Sequence, residues 1–358
     1  MLMGERIMTK RATIERQRTT IARARELRSA GRRAEAAAVL EERIRGGDWG
    51  RAALWSELQS LMTGPDDYAA IQQLWLASPR SVHRNPAILR PVARAASIAE
   101  HHEEARALLR AAILARAAHR RSPRGVAGRM KRSVSRRVAS RRSPPRSFEA
   151  NAREALLELD ELLAELDVRV FLVAGTVLGH VRSSSVIPWD KDIDVGVFRE
   201  DVDIPRLEEH VERAPRFNVR RLDLTTDRLR IDHVNGAKID VFPHYLDVDG
   251  RVWHDGAATR WWNRPFELTQ VEFLGVQQWI PDPAETYLTD SYGDWRTPDP
   301  TFDARLDAPN VEVTDQAYFD TLLYFGLLDA VTKRNRTKQE RFARLLKELG
   351  EGDWVDRV

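Results

Sequence analysis

The stretch Asp190-Lys191-Asp192-Ile193-Asp194 sets three carboxylates within five residues, at the mouth of the apolar run Ile193 to Phe198. Like charges this close repel, and apolar neighbours take away the water that would screen them. In an extended chain alternate residues share a face, so Asp192 and Asp194 point one way while Ile193, Val195 and Val197 point into a core. A divalent cation, a hard ion that takes oxygen ligands, removes the repulsion. Asp190 has the same parity, but Pro188 and Trp189 precede it, so its direction is left to the loop.

The flanks of this stretch sharpen the expectation. Val168 to Ala174 reads as a buried strand, and Gly175-Thr176 then opens a helical pattern. A strand that turns into a helix leaves free backbone amides at the turn, which favour an anionic group such as a phosphate. Gly175 allows close backbone approach, and the Thr176 hydroxyl can donate to a phosphate oxygen. Downstream, Lys238-Ile239-Asp240-Val241-Phe242 buries a single carboxylate in another apolar run. Such a residue is costly unless paired or metal-bound. Strands are also expected at Asn218–Leu222 and Leu229–Val234, with a β-rich region from Tyr245 to Gly275. Trp261-Trp262 in that region read as core. Upstream, Ser147 caps a helix with the stripe Leu156, Leu159, Leu163 and Leu166.

The chain has 358 residues, enough for two or three domains. It has no cysteine, which excludes disulfides, thiolate zinc sites and cysteine nucleophiles. The N-terminus carries charges among its first apolar residues and no secretory h-region, and no apolar stretch reaches the ~20 residues of a membrane span. The expected location is cytoplasmic, peripheral at the inner face of the membrane. Charge is unevenly distributed. Residues 1–148 hold 31 Lys and Arg against 13 Asp and Glu, whereas residues 149–358 hold 26 against 41. Two such halves imply different surfaces and partners.

Within residues 1–118, small-residue helices open at Gly31, Asp66 and His102, and helices rich in large apolar residues lie between them. This spacing resembles tetratricopeptide-type repeats, which present a surface to a protein partner. Residues 119–146 hold eleven Lys and Arg, no acid, and Ser-Pro and Pro-Pro breaks. They read as a basic linker or arm, suited to an anionic membrane surface, with nucleic acid or an anionic glycan equally suited electrostatically.

Four ordered segments together resemble the LicD/fukutin family: Gly175-Thr-Val-Leu-Gly-His-Val-Arg182; Ile187-Pro-Trp-Asp-Lys-Asp-Ile-Asp-Val-Gly196; Lys238-Ile-Asp-Val-Phe-Pro243; and Pro281-Asp-Pro283 leading to Tyr287-Leu288 and Tyr292-Gly-Asp-Trp295. The resemblance covers about residues 150–300. It implies an α+β nucleotidyltransferase-like mixed sheet flanked by helices, here preceded by the all-α, TPR-like region. The implied domains are 1–118, the arm 119–146, a LicD-like domain over 147–310, and C-terminal helices at 311–358 packing on it. The implied activity moves phosphocholine, ribitol phosphate or a similar group from a CDP-linked donor to a glycan acceptor, with Mg2+ or Mn2+. Carried over by position, Asp192, Asp194 and Asp240 become the catalytic and metal-binding carboxylates, the first two as the metal pair and Asp240 as the third, a general base or the ligand of a second metal. Gly175 and Thr176 hold donor phosphate, and Asp190 matches a further binding position. Arg182 or Lys238 offsets charge on the transferring group. Three departures stand out: Lys191 replaces a usual acid, Ser183-Ser184-Ser185 replaces a usual turn, and no Cys remains for the zinc insertion of some animal members. Two other readings share these residues. One is nucleotidyl transfer to nucleic acid or a small molecule. The other is a non-enzymatic helical-repeat scaffold with a degenerate transferase domain.

Overall fold

Alternating small and large apolar residues produce a run of short helices in the N-terminal part of the chain. The computed structural model describes residues 2–121, 147–188, 190–221 and 226–358, with the side chains of 2–13, 120, 121 and 221 excluded. The basic arm 119–146 therefore lies outside the described residues from 122 onward. The first helices are α1 (Leu2–Ser29), α2 (Arg33–Arg43), α3 (Ala52–Gln59), α4 (Asp67–Leu76), α5 (Pro86–Ile98) and α6 (His102–Arg121). The small-residue helices α2, α4 and α6 start at Arg33, Asp67 and His102, and α3 and α5 start at Ala52 and Pro86. Leu40, Ile44, Leu54, Trp55, Leu74, Ile88, Leu89 and Leu109 are fully buried there. Each such side chain contributes roughly 1.5–3 kcal/mol by leaving water.

The next helix, α7 (Phe148–Ala164), starts where Ser147 accepts a hydrogen bond from the Ala150 amide at 3.2 Å. This is the N-cap geometry the sequence predicts. Ala152, Ala155, Leu156, Leu159 and Leu163 form its buried stripe, with Leu166 partly buried beyond it. Then come β1 (Phe171–Leu172), α8 (Ala174–Ser183), β2 (Ile193–Phe198), α9 (Ile204–Arg213), β3 (Phe217–Arg221), β4 (Leu229–His233) and β5 (Lys238–Leu246). After them are β6 (Val252–Gly256), β7 (Thr259–Asn263), β8 (Glu267–Phe273), β9 (Val276–Asp282), α10 (Ala284–Tyr292), α11 (Ala304–Asp307) and β10 (Val311–Val313).

The described strands form one mixed sheet in the order β10-β7-β6-β5-β2-β1-β9-β8, with β4 paired to β5 and β3 to β4. Strand β2 runs parallel to β5, and β1 parallel to β9; the other pairs are antiparallel. Ile193, Val195, Val197, Ile239 and Val241 are fully buried and share a core with the α7 stripe and with Ile204, Leu207 and Val211 of α9. That burial fixes register, since a one-residue slip would turn every carboxylate of β2 and β5 into the core. Trp261 is buried as expected, whereas Trp262 on the other face is half-buried.

The chain ends in α12 (Gln316–Lys333), α13 (Arg336–Glu348) and α14 (Gly352–Val355). By contacts the molecule divides into two units, and the residues from Asp320 onward belong with the N-terminal helices. The expectation set residues 311–358 with the LicD-like domain; residues 311–319 do fall in its unit, and those from Asp320 onward do not. Arg94 lies 4.6 Å over the Phe325 ring, Arg90 Nη2 is 3.0 Å from Asp329, and Arg110 lies 5.5 Å over the Trp354 ring. The basic helices thus find their aromatic and acidic partners in the tail. Residues 311–313 instead form β10, paired to β7. Among the described residues no helix is long and apolar enough to cross a membrane.

Candidate functional site

The parallel register of β2 and β5 sets Asp194 opposite Asp240. The antiparallel register of β4 and β5 sets Arg230 opposite the same Asp240. Arg230, Asp240 and Asp194 therefore form one row across three strands, on the face away from Ile193, Val195, Ile239 and Val241.

At one end of the row the guanidinium grips Asp240 with two bonds, Nε to Oδ1 and Nη2 to Oδ2. The same Nη2 donates to Asp192 Oδ2 at 3.1 Å. Burial works against the charge on Arg230, but the bonds to Asp240 and the charges of Asp240, Asp192 and Asp232 outweigh it and raise its pKa. A planar two-bond pair of this kind fixes direction as well as charge. Asp240 itself is only 6% exposed.

At the other end, Asp194 Oδ2 accepts the Gly175 amide at 3.2 Å, and the Asp194 amide donates to Thr176 Oγ1 at 2.8 Å. The start of α8 does hold an anion, and that anion is the chain's own carboxylate. The Gly175 amide, expected to face a phosphate, donates to this carboxylate, and Thr176 Oγ1 serves the Asp194 amide as acceptor. Thr176 is buried, and its hydroxyl ties α8 to β2. Gly175 is needed for close approach. A Cβ there would stand 2.8 Å from Asp190 Oδ2 and 3.2 Å from Asp194 Oδ2. Those two distances also bring Asp190 into the carboxylate group, which the loop left open in the sequence.

Burial pushes Asp194 well above the usual carboxylate range, helped by the charges of Asp240, Asp192 and Asp190, while the Gly175 amide pulls the other way. Burial, a hydrogen bond with Asp192 and the Asp192 charge push Asp190 up to about 7, against the amides of Lys191 and Asp192. Tyr287 walls the site, its Oη accepting the Ala174 amide at 3.0 Å.

Among the described residues no three Asp, Glu or His side chains stand together as a ready ligand set for one ion. Asp240 is turned to the guanidinium. Asp190, Asp192 and Asp194 nonetheless bring mutually repelling hard oxygens to one end of the row, donors of the type a divalent ion takes.

Residues 167–282 match a family model described as LicD/FKTN/FKRP, nucleotidyltransferase domain. This segment belongs to the LicD/fukutin family. The LicD domain and its surroundings are similar to mouse ribitol-5-phosphate transferase FKTN, at 28% identity over 174 residues, 46% of this chain and 37% of the relative. Human ribitol 5-phosphate transferase FKRP is 39% identical over 60 residues, 17% of this chain and 12% of its own length. The chain thus spans well under half the length of either relative. The lincomycin-bound crystal structure of the lincosamide antibiotic adenylyltransferase LnuA overlaps 39% of this chain and 87% of its own, at 14% identity and a TM-score of 0.30. That overlap is too loose to bear on function.

Three more residues of the LicD domain fall outside the row. Arg182 donates from Nε and Nη2 to the Trp295 carbonyl, and from Nη2 to the Thr297 carbonyl at 3.2 Å. Its guanidinium ties α8 to the loop after α10 and is spent on backbone, which corrects its expected role beside the transferring group. Lys238 opens β5, exposed and on the same face as Asp240. Lys191 is exposed, and its amide donates to Asp190 Oδ1 at 2.9 Å. Arg230 was missed by sequence reasoning. The signal that could have found it is parity, since a basic residue alternating with Leu229 and Ile231 in a strand shares the face of that strand's polar residues.

Proposed function

We propose that the LicD domain transfers a phospho-alcohol group, of the ribitol phosphate or phosphocholine kind, from a CDP-linked donor to a glycan hydroxyl, with Mg2+ or Mn2+ as its metal. The observation that carries this reading is the Asp194–Asp240 row beneath the start of α8, inside a segment similar to two ribitol phosphate transferases. Asp190, Asp192 and Asp194 would hold the ion. Such an ion, when bound, polarises phosphoryl oxygens and offsets charge that develops on them.

The remaining work falls to the chain. Lys238, exposed on the carboxylate face, meets the donor phosphates with its ammonium. Gly175, having no Cβ, lets Asp190 and Asp194 pack against the start of α8. The acceptor oxygen attacks the phosphorus that bears the alcohol. The new P–O bond forms as the bond from that phosphorus to the CMP oxygen breaks, and CMP leaves with the electron pair. The acceptor proton passes to a carboxylate of the row.

Release of CMP from CDP-ribitol or CDP-choline, with a glycan acceptor present, tests the reading. Asp194→Ala is expected to lower turnover by roughly 100-fold or more while the circular dichroism of the protein is unchanged. Near wild-type CMP release from this variant, or thermal stabilisation by ATP and not by CDP or CMP, would overturn it.

For the N-terminal helices the reading is a tetratricopeptide-like array facing a protein partner, supported by the recurring helix starts at Arg33, Asp67 and His102. For residues 119–146 it is contact with an anionic membrane surface, supported by eleven basic residues without an acid.

A further inference from the structure

A guanidinium taken partly out of water needs an acceptor or a counter-charge. The arginines of β3 and β4 have theirs: Arg230 holds Asp240, and Arg220 pairs with Asp232 at 2.8 Å. Arg228, just before β4, does not. It is half-buried, among the described residues no carboxylate pairs with it, and its Nε is sealed from water without a hydrogen-bond partner. The acid beside it in sequence, Asp227, is taken by Arg199 at 3.1 Å and by the Tyr245 hydroxyl at 2.8 Å. What Arg228 does have is a ring: its guanidinium carbon lies 5.4 Å over Phe242. That contact offsets part of the cost of burial, but a ring face gives the five N–H donors no oxygen.

The register places this cation beside the candidate site. Arg228 has the parity of Arg230 and so shares the carboxylate face. The β4–β5 ladder sets Arg230 against Asp240 and Leu229 against Val241, and its next step brings Arg228 to Phe242, which lies opposite Gly196 on β2. A second row, Arg228–Phe242–Gly196, therefore runs beside Arg230–Asp240–Asp194 at a spacing of two residues, roughly 7 Å. The second row holds no acid. Lys238 stands two residues from Asp240 in the other direction along β5. One face of the sheet thus carries a carboxylate row with a cation on each side of it.

We infer that Arg228 is an anion-binding residue of the LicD site, taking a phosphate group of the substrate on the far side of the carboxylate row from Lys238. The inference rests on the transfer reading above. Phosphate oxygens match the guanidinium fork two at a time, and Arg228 has no carboxylate that must first be displaced. The acid-free row around it does not repel an anion, whereas the row of Asp194 and Asp240 does. Two phosphates have this chemistry: the one next to cytidine in the CDP-linked donor, and one already carried by the acceptor glycan.

Calorimetric titration of the full chain with CMP and with cytidine, in buffer containing Mg2+, isolates what the phosphate contributes without any turnover. Wild type is expected to bind CMP more tightly than cytidine. Arg228→Met is expected to lose roughly 10-fold or more of that preference with cytidine affinity unchanged, and Arg228→Lys to keep part of it. If the CMP preference holds and KM for a phosphate-bearing glycan acceptor rises by a similar factor, with KM for the phosphate-free acceptor unmoved, the bound phosphate is the acceptor's and the inference stands. A folded Arg228→Met with both quantities unchanged would overturn the inference and leave the transfer reading standing, and a lowered melting temperature as its sole effect would assign Arg228 to the Phe242 contact alone. Failure of wild type to bind CDP or CMP would overturn both. Should Arg228→Met not fold, Arg228→Gln is read in its place.

Discussion

Asp240 and Asp194 face each other across one pair of parallel strands, yet their charges are handled in opposite ways. Asp240 is held by a guanidinium from the next strand, and Asp194 by one amide at a helix start, with other carboxylates around it. At the first end a guanidinium faces the carboxylate directly. At the second, burial and the neighbouring carboxylates hold Asp194 well above the usual carboxylate range. Position in the sheet is therefore a poor guide to a carboxylate's role, and the identity of its third neighbour decides.

The comparison breaks most severely at Arg230. Arg230→Met leaves Asp240 buried without its cation, and loss of one partner of a buried pair is expected to cost about 3 kcal/mol in urea unfolding. Asp194→Asn has the opposite sign. In chelator-treated protein it removes a repelled charge and keeps an oxygen for the Gly175 amide, so stability rises by about 1 kcal/mol. If both substitutions destabilise equally, the two ends of the row are not electrostatically distinct.

Two rows further along the same face the chemistry changes again. His244 and His254 are paired across β5 and β6, their ring centroids 4.7 Å apart and both rings buried. Burial pushes His244 down to about 4, against the Phe242 carbonyl that its ring faces at 2.8 Å, and it pushes His254 down as well. Between pH 4 and about 6.5 the unfolded chain binds a proton at His244 that the folded chain refuses. Stability from this group is then full above pH 6.5 and is lost as pH falls toward 4, by an amount of order 3 kcal/mol. His244→Gln should flatten that part of the acid limb in a plot of melting temperature against pH. An acid limb identical to wild type would show that His244 does not contribute to it.

Much of this site is legible without coordinates because local rules write it. The alternation from Asp192 to Phe198 encodes both the strand and the face of its carboxylates. Ser147 and the leucines of α7 encode a helix and its buried stripe. What is not legible depends on register between distant segments. Arg230 is one of 57 Lys and Arg residues, and although its alternation with Leu229 and Ile231 puts it on a polar face, its partners emerge only when β4 is laid against β5. Arg182 sits among motif residues, yet its partners are the carbonyls of Trp295 and Thr297, which no side-chain pattern reports. The tail helices carry ordinary amphipathic patterns, and such a pattern states that a face is buried without stating against what.

Thr176 gives the finest test of the contrast between the two ends. At the Asp240 end a charged fork does the holding. At the Asp194 end the strand is held by a buried neutral hydroxyl that accepts the Asp194 amide at 2.8 Å. Thr176→Val keeps the shape and removes the acceptor, so a buried N–H is left unpaired at a cost of about 1 kcal/mol. Thr176→Ser keeps the acceptor and should fall within about 0.5 kcal/mol of wild type, since only a methyl group is lost. The slackening of Asp194 in Thr176→Val should also weaken Mn2+ binding several-fold while the Arg230–Asp240 pair is untouched. Equal Mn2+ affinity in the Val and Ser variants would mean that the hydroxyl serves the fold alone, and that the carboxylate of Asp194 is directed by the Gly175 amide without help from Thr176.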